Sequence, residues 1–250
     1  MAWRPLPRPA LDRLHQLLLA MVFLTRLPLG RFLPPRVLPL ADAVWAFPLA
    51  GALVGAMAGL PLWWLGPDLL SAALALAAAV WLTGALHEDA LADFADAGGG
   101  RDRNDRLRIM RDSTIGSYGA TALICISLLR VAALVALGPV ALIGAAGAAR
   151  VAPVLLMRSL PAARADGLGQ GAGQPSRGAT AGAAAIGAVL LILCAPTVPA
   201  AFLAGLLAMA VVVAVSRRAC RLLGGQTGDV LGASAALAET AALVGMAALT

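Results

Sequence analysis

Leu69-Leu-Ser-Ala-Ala-Leu-Ala-Leu-Ala-Ala-Ala-Val-Trp-Leu-Thr-Gly-Ala-Leu86 carries no charge, and it runs directly into His87-Glu88-Asp89-Ala90-Leu91-Ala92-Asp93-Phe94-Ala95-Asp96. The first half, if helical, is about 27 Å long, close to the hydrocarbon thickness of a bilayer. The second half holds four carboxylates within nine residues. An apolar span that ends in an acidic cluster predicts a membrane protein with chemistry at the membrane surface.

Similar apolar runs recur along the chain. Seven spans are predicted, at about 43–65, 69–86, 115–137, 139–157, 178–195, 198–215 and 230–248. The composition agrees. Mean hydropathy is +0.86 and only 13% of residues are charged, against about 25% in soluble domains. Abundant Ala and Gly suit close helix packing in lipid. The expected fold is an all-α, polytopic membrane helical bundle of about seven transmembrane helices. It forms a single integral membrane domain over residues 1–250, with a cytoplasmic catalytic loop at about 87–114.

All 19 basic residues are arginine, and 17 lie outside these spans, the exceptions being Arg130 and Arg150. With seven spans, all 17 fall on one side, which the positive-inside rule makes cytoplasmic. The run 14–29 is then expected as a re-entrant or interfacial helix, because spanning would move Arg4, Arg8 and Arg13 across. The net charge of +6 suits lipid or phosphorylated substrates. Few aromatics and no nucleic-acid motif argue against nucleic acid. Cys125, Cys194 and Cys220 lack metal-ligand spacing and read as buried small residues. Arg130 and Arg150 each need an intramembrane partner, and Glu239 is expected to pair with one of them.

Seven of the 13 acidic residues lie between Glu88 and Asp112. In a helix, Asp89, Asp93 and Asp96 share one face. That face, with Glu88, offers hard oxygen ligands for Mg²⁺. His87 beside it is a candidate proton acceptor, so His87, Asp89 and Asp93 are the candidate catalytic residues. Gly98-Gly99-Gly100 gives backbone N–H groups room to approach a phosphate, and Arg101 and Arg103 follow at once. Arginine forks bind phosphate oxygens in pairs. The stretch 106–113 reads as an amphipathic helix bringing Arg111, Asp112 and Ser113 to the same surface. Arg26, Arg164, Thr227 and Asp229 complete the candidate substrate-binding set, because their segments share the arginine-rich side. Asp229 alternatively serves as an N-cap.

Several of these stretches together resemble the cobalamin synthase family, the adenosylcobinamide-GDP ribazoletransferases. They are Phe23-Leu-Thr25-Arg26-Leu-Pro28, His87 to Asp96 with the glycine turn, and Arg108-Ile-Met-Arg111-Asp112-Ser113-Thr-Ile-Gly116-Ser-Tyr-Gly119. Arg164-Ala-Asp-Gly167-Leu-Gly169 and Gly225-Gln-Thr227-Gly228-Asp229-Val-Leu-Gly232 follow in order. Ala90 departs from the glycine expected there. The resemblance implies a multi-pass enzyme of the bacterial inner membrane that uses Mg²⁺. It would join adenosylcobinamide-GDP to α-ribazole or its 5′-phosphate and release GMP, with the ribazole 5′-hydroxyl attacking the cobinamide-side phosphorus. It leaves room for a homo-oligomer. Residue chemistry alone reaches metal-dependent phosphotransfer at the membrane surface. The alternatives are a CDP-alcohol-type phosphotransferase, whose Asp-Gly-x-x-Ala-Arg signature is absent, and an ion-coupled transporter, for which no inverted repeat is visible.

Overall fold

The computed structural model describes residues 8–35, 38–164 and 171–250. Arg4, Arg36 and the Asp166-Gly167-Leu168-Gly169 portion of the motif after Arg164 lie outside the described residues. Helix α1 is Arg8–Leu24, α2 Leu40–Ala43, α3 Phe47–Ala58, α4 Leu60–Leu65, α5 Leu69–Thr83 and α6 Leu86–Asp96. Then follow α7 Arg103–Ile109, α8 Ser117–Leu137, α9 Pro139–Ala149, α10 Val151–Ser159, α11 Arg177–Cys194, α12 Val198–Leu223 and α13 Gly228–Ala247. No strand occurs among the described residues; only an isolated bridge joins Ala162 to Gln226. Six helical stretches are long and apolar enough to cross a membrane, and a bent pair makes a seventh. The protein is a multi-pass helical bundle.

Helix starts follow from side-chain caps. Asp68 accepts from Ser71 N–H and Ser71 Oγ accepts from Asp68 N–H, closing a capping box on α5. Ser176, Thr197 and Thr227 cap α11, α12 and α13. Small residues set the spacing between helices. A Cβ at Gly55 of α3 would lie 2.6 Å from the Leu142 carbonyl of α9. The core is accordingly alanine-rich, with Ala50, Ala145, Ala204, Ala236 and Ala242 all at 0% exposure. Trp63, Trp64, Leu69, Leu193 and Phe202 face outward, where the bilayer covers apolar surface. Cys125 and Cys220 are also exposed and Cys194 is intermediate, so the expected burial inside the protein is corrected. Cys220 opens on a pocket with the polar residues Ser216, Arg217 and Arg221.

The span expected at 69–86 is broken. Gly84 (φ +66°) and Ala85 (φ +60°) are both left-handed, and α5 meets α6 at 89°. Gly84 N–H bonds to the Trp81 carbonyl and Ala85 N–H to that of Val80, which ends α5. Helix α6 then runs along α8 and the first half of α13. Its approach to α13 requires Gly232, where a Cβ would collide with that of Ala90. The acidic stripe is thus a separate element seated in the bundle, not an extension of a straight span.

Candidate active site

Helix α6 separates two cavities. On one side a cleft of about 630 Å³ is lined by Glu88, Asp89, Asp93, Arg111, Asp112 and Ser113, among others. On the other, a smaller cavity of about 250 Å³ includes Phe23, Phe47, His87, Asp89, Met157 and Asp229 in its wall. Leu86, His87 and Ala90 line the smaller cavity, Glu88, Ala92 and Asp93 line the cleft, and Asp89 lines both.

Two anchors fix the helix. Arg130 of α8, buried at 3% exposure, donates through Nη1 to Glu88 Oε1 at 2.9 Å. It also holds Thr240 Oγ1 and the Ala236 carbonyl through Nε and Nη2. Glu239 pairs with Arg150 and lies 3.8 Å from Arg130. The expected Glu239 pairing is therefore found, and it reaches both arginines. At the other end, Asp96 accepts from Gly116 N–H and Gly119 N–H, each at 2.8 Å. These are the opening amides of α8. Both glycines are required, because a Cβ at either would press on the Asp96 carboxylate.

The loops before α11 and α13 are stitched together by Arg103. Its Nε donates to the Leu223 carbonyl at 2.7 Å and its Nη2 to the Ala163 carbonyl at 2.5 Å. The backbone pairs Ala163 N–H with the Gln226 carbonyl, and Gln226 N–H with that of Pro161. Arg164 then reaches Asp229 at 2.8 Å. Thr227, not Asp229, supplies the cap of α13, so the expected capping role moves by two residues. Arg101 is 88% exposed and pairs with Asp105 at 3.4 Å. Gly98, Gly99 and Gly100 sit against Arg218, Tyr118 and Arg106 and line neither cavity. Arg26 lies over the Gly84 turn, and its N–H bonds to the Leu82 carbonyl.

Of the predicted residues, the structure brings His87, Glu88, Asp89, Asp93, Arg111, Asp112, Ser113 and Asp229 to the two cavities. Asp96, Arg103 and Thr227 stand behind them as framework. Sequence reading missed the Arg130–Glu88 pair, and it missed Phe23, Phe47 and Met157. A lone arginine deep in a span was the available signal for the first; the others look like ordinary core residues.

The cleft suits a hard cation that arrives with its own oxygens. Among the described residues, no group of three or more His, Cys, Asp or Glu side chains is gathered to hold a metal alone. Asp93 nevertheless stands in the negative fields of Asp89, Asp229 and Asp96, opposed by Arg164. Glu88 Oε2 is buried with no hydrogen-bond partner. Carboxylate oxygens with unmet demand match Mg²⁺, which takes one or two carboxylates and fills its shell with water and phosphate oxygens.

The cobalamin-5-phosphate synthase family model matches residues 16–247. A relative from Azorhizobium caulinodans, named adenosylcobinamide-GDP ribazoletransferase, is 47% identical over 91% of this chain and 93% of its own. Relatives of the same name from Bradyrhizobium diazoefficiens and Sinorhizobium medicae are 44% and 42% identical. They align over 86% and 91% of this chain, and over 86% and 94% of their own lengths. No solved structure matches the chain.

Proposed function

The chain belongs to the cobalamin-5-phosphate synthase family, and from that premise we propose that it transfers the adenosylcobinamide-phosphate group of adenosylcobinamide-GDP to α-ribazole or its 5′-phosphate, releasing GMP. The observation that carries this reading is the acidic helix α6, with Asp89 exposed to two separate cavities. A two-substrate transfer needs two binding spaces meeting at one reacting centre.

In the reaction a ribazole hydroxyl oxygen forms a bond to the cobinamide-side phosphorus. The phosphorus–oxygen bond to GMP breaks, and the hydroxyl proton passes to a base. The family's description names a product that keeps a 5-phosphate. An acceptor already phosphorylated at 5′ has no 5′-hydroxyl, so a secondary ribose hydroxyl attacks, contrary to the expectation from sequence. Asp89 and His87 line the cavity from which a hydroxyl would approach; the Asp89 carboxylate can accept its proton, whereas a proton on buried His87 would face the charges of Arg150 and Arg130. Arg111 and Ser113 line the cleft beside the acidic face and can donate to diphosphate oxygens. Arg103 acts by bracing the loops that carry Ala163 and Leu223.

Asp89 and Asp93, with Glu88 beside them, would hold Mg²⁺ against the diphosphate. When bound, the ion supplies charge neutralisation for the departing GMP. The arginine distribution supports a bacterial inner-membrane location with this face toward the cytoplasm.

The test uses purified protein in nanodiscs with adenosylcobinamide-GDP, α-ribazole and Mg²⁺. Stoichiometric GMP and a cobalamin product are expected, and both should vanish with a chelator. GMP formed without α-ribazole, or no GMP at all, would overturn the reading.

A further inference from the structure

We propose that the smaller cavity, on the far side of α6 from the acidic cleft, is the subsite for the acceptor's aromatic base, and that the two substrates therefore approach Asp89 from opposite sides of one helix. The proposal rests on the transfer reaction described above and assigns its two substrates to two spaces.

Size is the first argument. At about 250 Å³ the cavity lies just below the usual range of roughly 300–1,000 Å³ for drug-sized ligands. It suits a benzimidazole with part of its sugar and excludes a corrin ring. The cleft is more than twice as large, at about 630 Å³, and can take the diphosphate end of a donor whose corrin lies outside it.

Chemistry is the second. The cavity wall is mainly apolar, and two of its residues, Phe23 and Phe47, stack with centroids 5.9 Å apart and planes at 19°. A flat heteroaromatic ring can extend such a stack. The polar groups are His87, Asp89 and Asp229, the last paired with Arg164 behind it, and among the described residues no arginine lines the cavity. Carboxylates accept hydrogen bonds from sugar hydroxyls and repel a diphosphate. The cleft sets Arg111, Ser113 and Thr114 beside Glu88, Asp89, Asp93 and Asp112, so a diphosphate would enter it together with the cation of the proposed reaction. Unphosphorylated α-ribazole is neutral and can enter the cavity without a cation, whereas its 5′-phosphate would meet the same repulsion as a diphosphate.

Geometry is the third. Displacement at phosphorus places the attacking and leaving oxygens roughly in line. An acceptor hydroxyl that reaches Asp89 from the cavity is at the residue that the cleft shares.

The experiment measures KM for each substrate separately in nanodiscs. Ala172, which lines the cavity and is 6% exposed, is replaced in Ala172→Phe to fill it. KM for α-ribazole should rise roughly tenfold or more, the equivalent of a single lost packing contact, while KM for adenosylcobinamide-GDP stays within a few-fold. A rise confined to the donor, or no change in either, overturns the assignment. If Ala172→Phe does not fold, Met157→Ala enlarges the same cavity. It should shift the kcat/KM ratio toward a nucleoside with a tricyclic base, and an unchanged ratio overturns the assignment equally. Wild-type GMP release is measured first. Its absence would sink the reaction itself, whereas normal release with unselective variants would sink only the division of substrates.

Discussion

The Arg130 guanidinium holds the Glu88 carboxylate at 2.9 Å across the interface of α8 and α6, with the arginine 3% exposed. This pair ties the acidic helix to the bundle at a depth where an unpaired charge is expensive. Removing one partner of a buried pair typically costs about 3–5 kcal/mol. Arg130→Met should lower the thermal unfolding midpoint markedly, and Glu88→Gln added to it should restore part of the loss. A double variant no more stable than Arg130→Met would show that Glu88 does not depend on this partner.

Asp96 is expected to behave as framework. Both its oxygens take the amides that open α8, and losing such a cap costs about 0.5–2 kcal/mol. Asp96→Ala should therefore lower the unfolding midpoint while leaving the Mg²⁺ half-saturation of residual activity near wild type. Gly119→Ala should reproduce it, because the new methyl presses on the same carboxylate. A large rise in Mg²⁺ requirement at normal stability would instead make Asp96 a metal ligand.

Asp105 gives a pH prediction. Hydrogen bonds from Arg108 and from the Arg101 N–H lower its pKa from 3.8 to about 2. A depressed carboxylate contributes stability above its unfolded value, and that contribution is lost as pH falls through the folded one. The loop pairing therefore persists at pH 4. Any acid limb of the activity profile between pH 5 and 7 should be identical in Asp105→Asn. A limb that disappears in this variant would contradict the assignment.

The hydropathy of the chain made the bundle legible, because about 20 apolar residues have few structural outcomes. It could not reveal the break at Gly84-Ala85, where an alanine adopts φ +60° inside an apolar run. Period alone put Asp89, Asp93 and Asp96 on one face. Tertiary placement then separated them, with Asp96 captured by the α8 amides and Asp89 left facing both cavities. Arg103 read as a phosphate ligand because glycines precede it. Its carbonyl partners at Ala163 and Leu223 lie 60 and 120 residues away, beyond any local pattern.

Topology follows from the arginines. Gln174→Cys, on a background with Cys125, Cys194 and Cys220 replaced, should resist an impermeant thiol reagent in intact cells, and Thr250→Cys should react. Replacing the native cysteines matters because Cys125 and Cys220 are exposed. Labelling at position 174 from outside would reverse the orientation.

In the proposed reaction Asp89 and Asp93 would hold a divalent cation against the diphosphate. A Mg²⁺ titration of GMP release by Asp89→Asn and Asp93→Asn in nanodiscs, with unfolding midpoints measured alongside, tests it most directly. Both variants should keep or raise their stability, since each removes like-charge repulsion. Both should lose roughly 10²-fold or more in turnover, or need far more Mg²⁺ to recover it. Wild-type turnover with wild-type Mg²⁺ dependence in both variants would place the metal elsewhere and contradict the account.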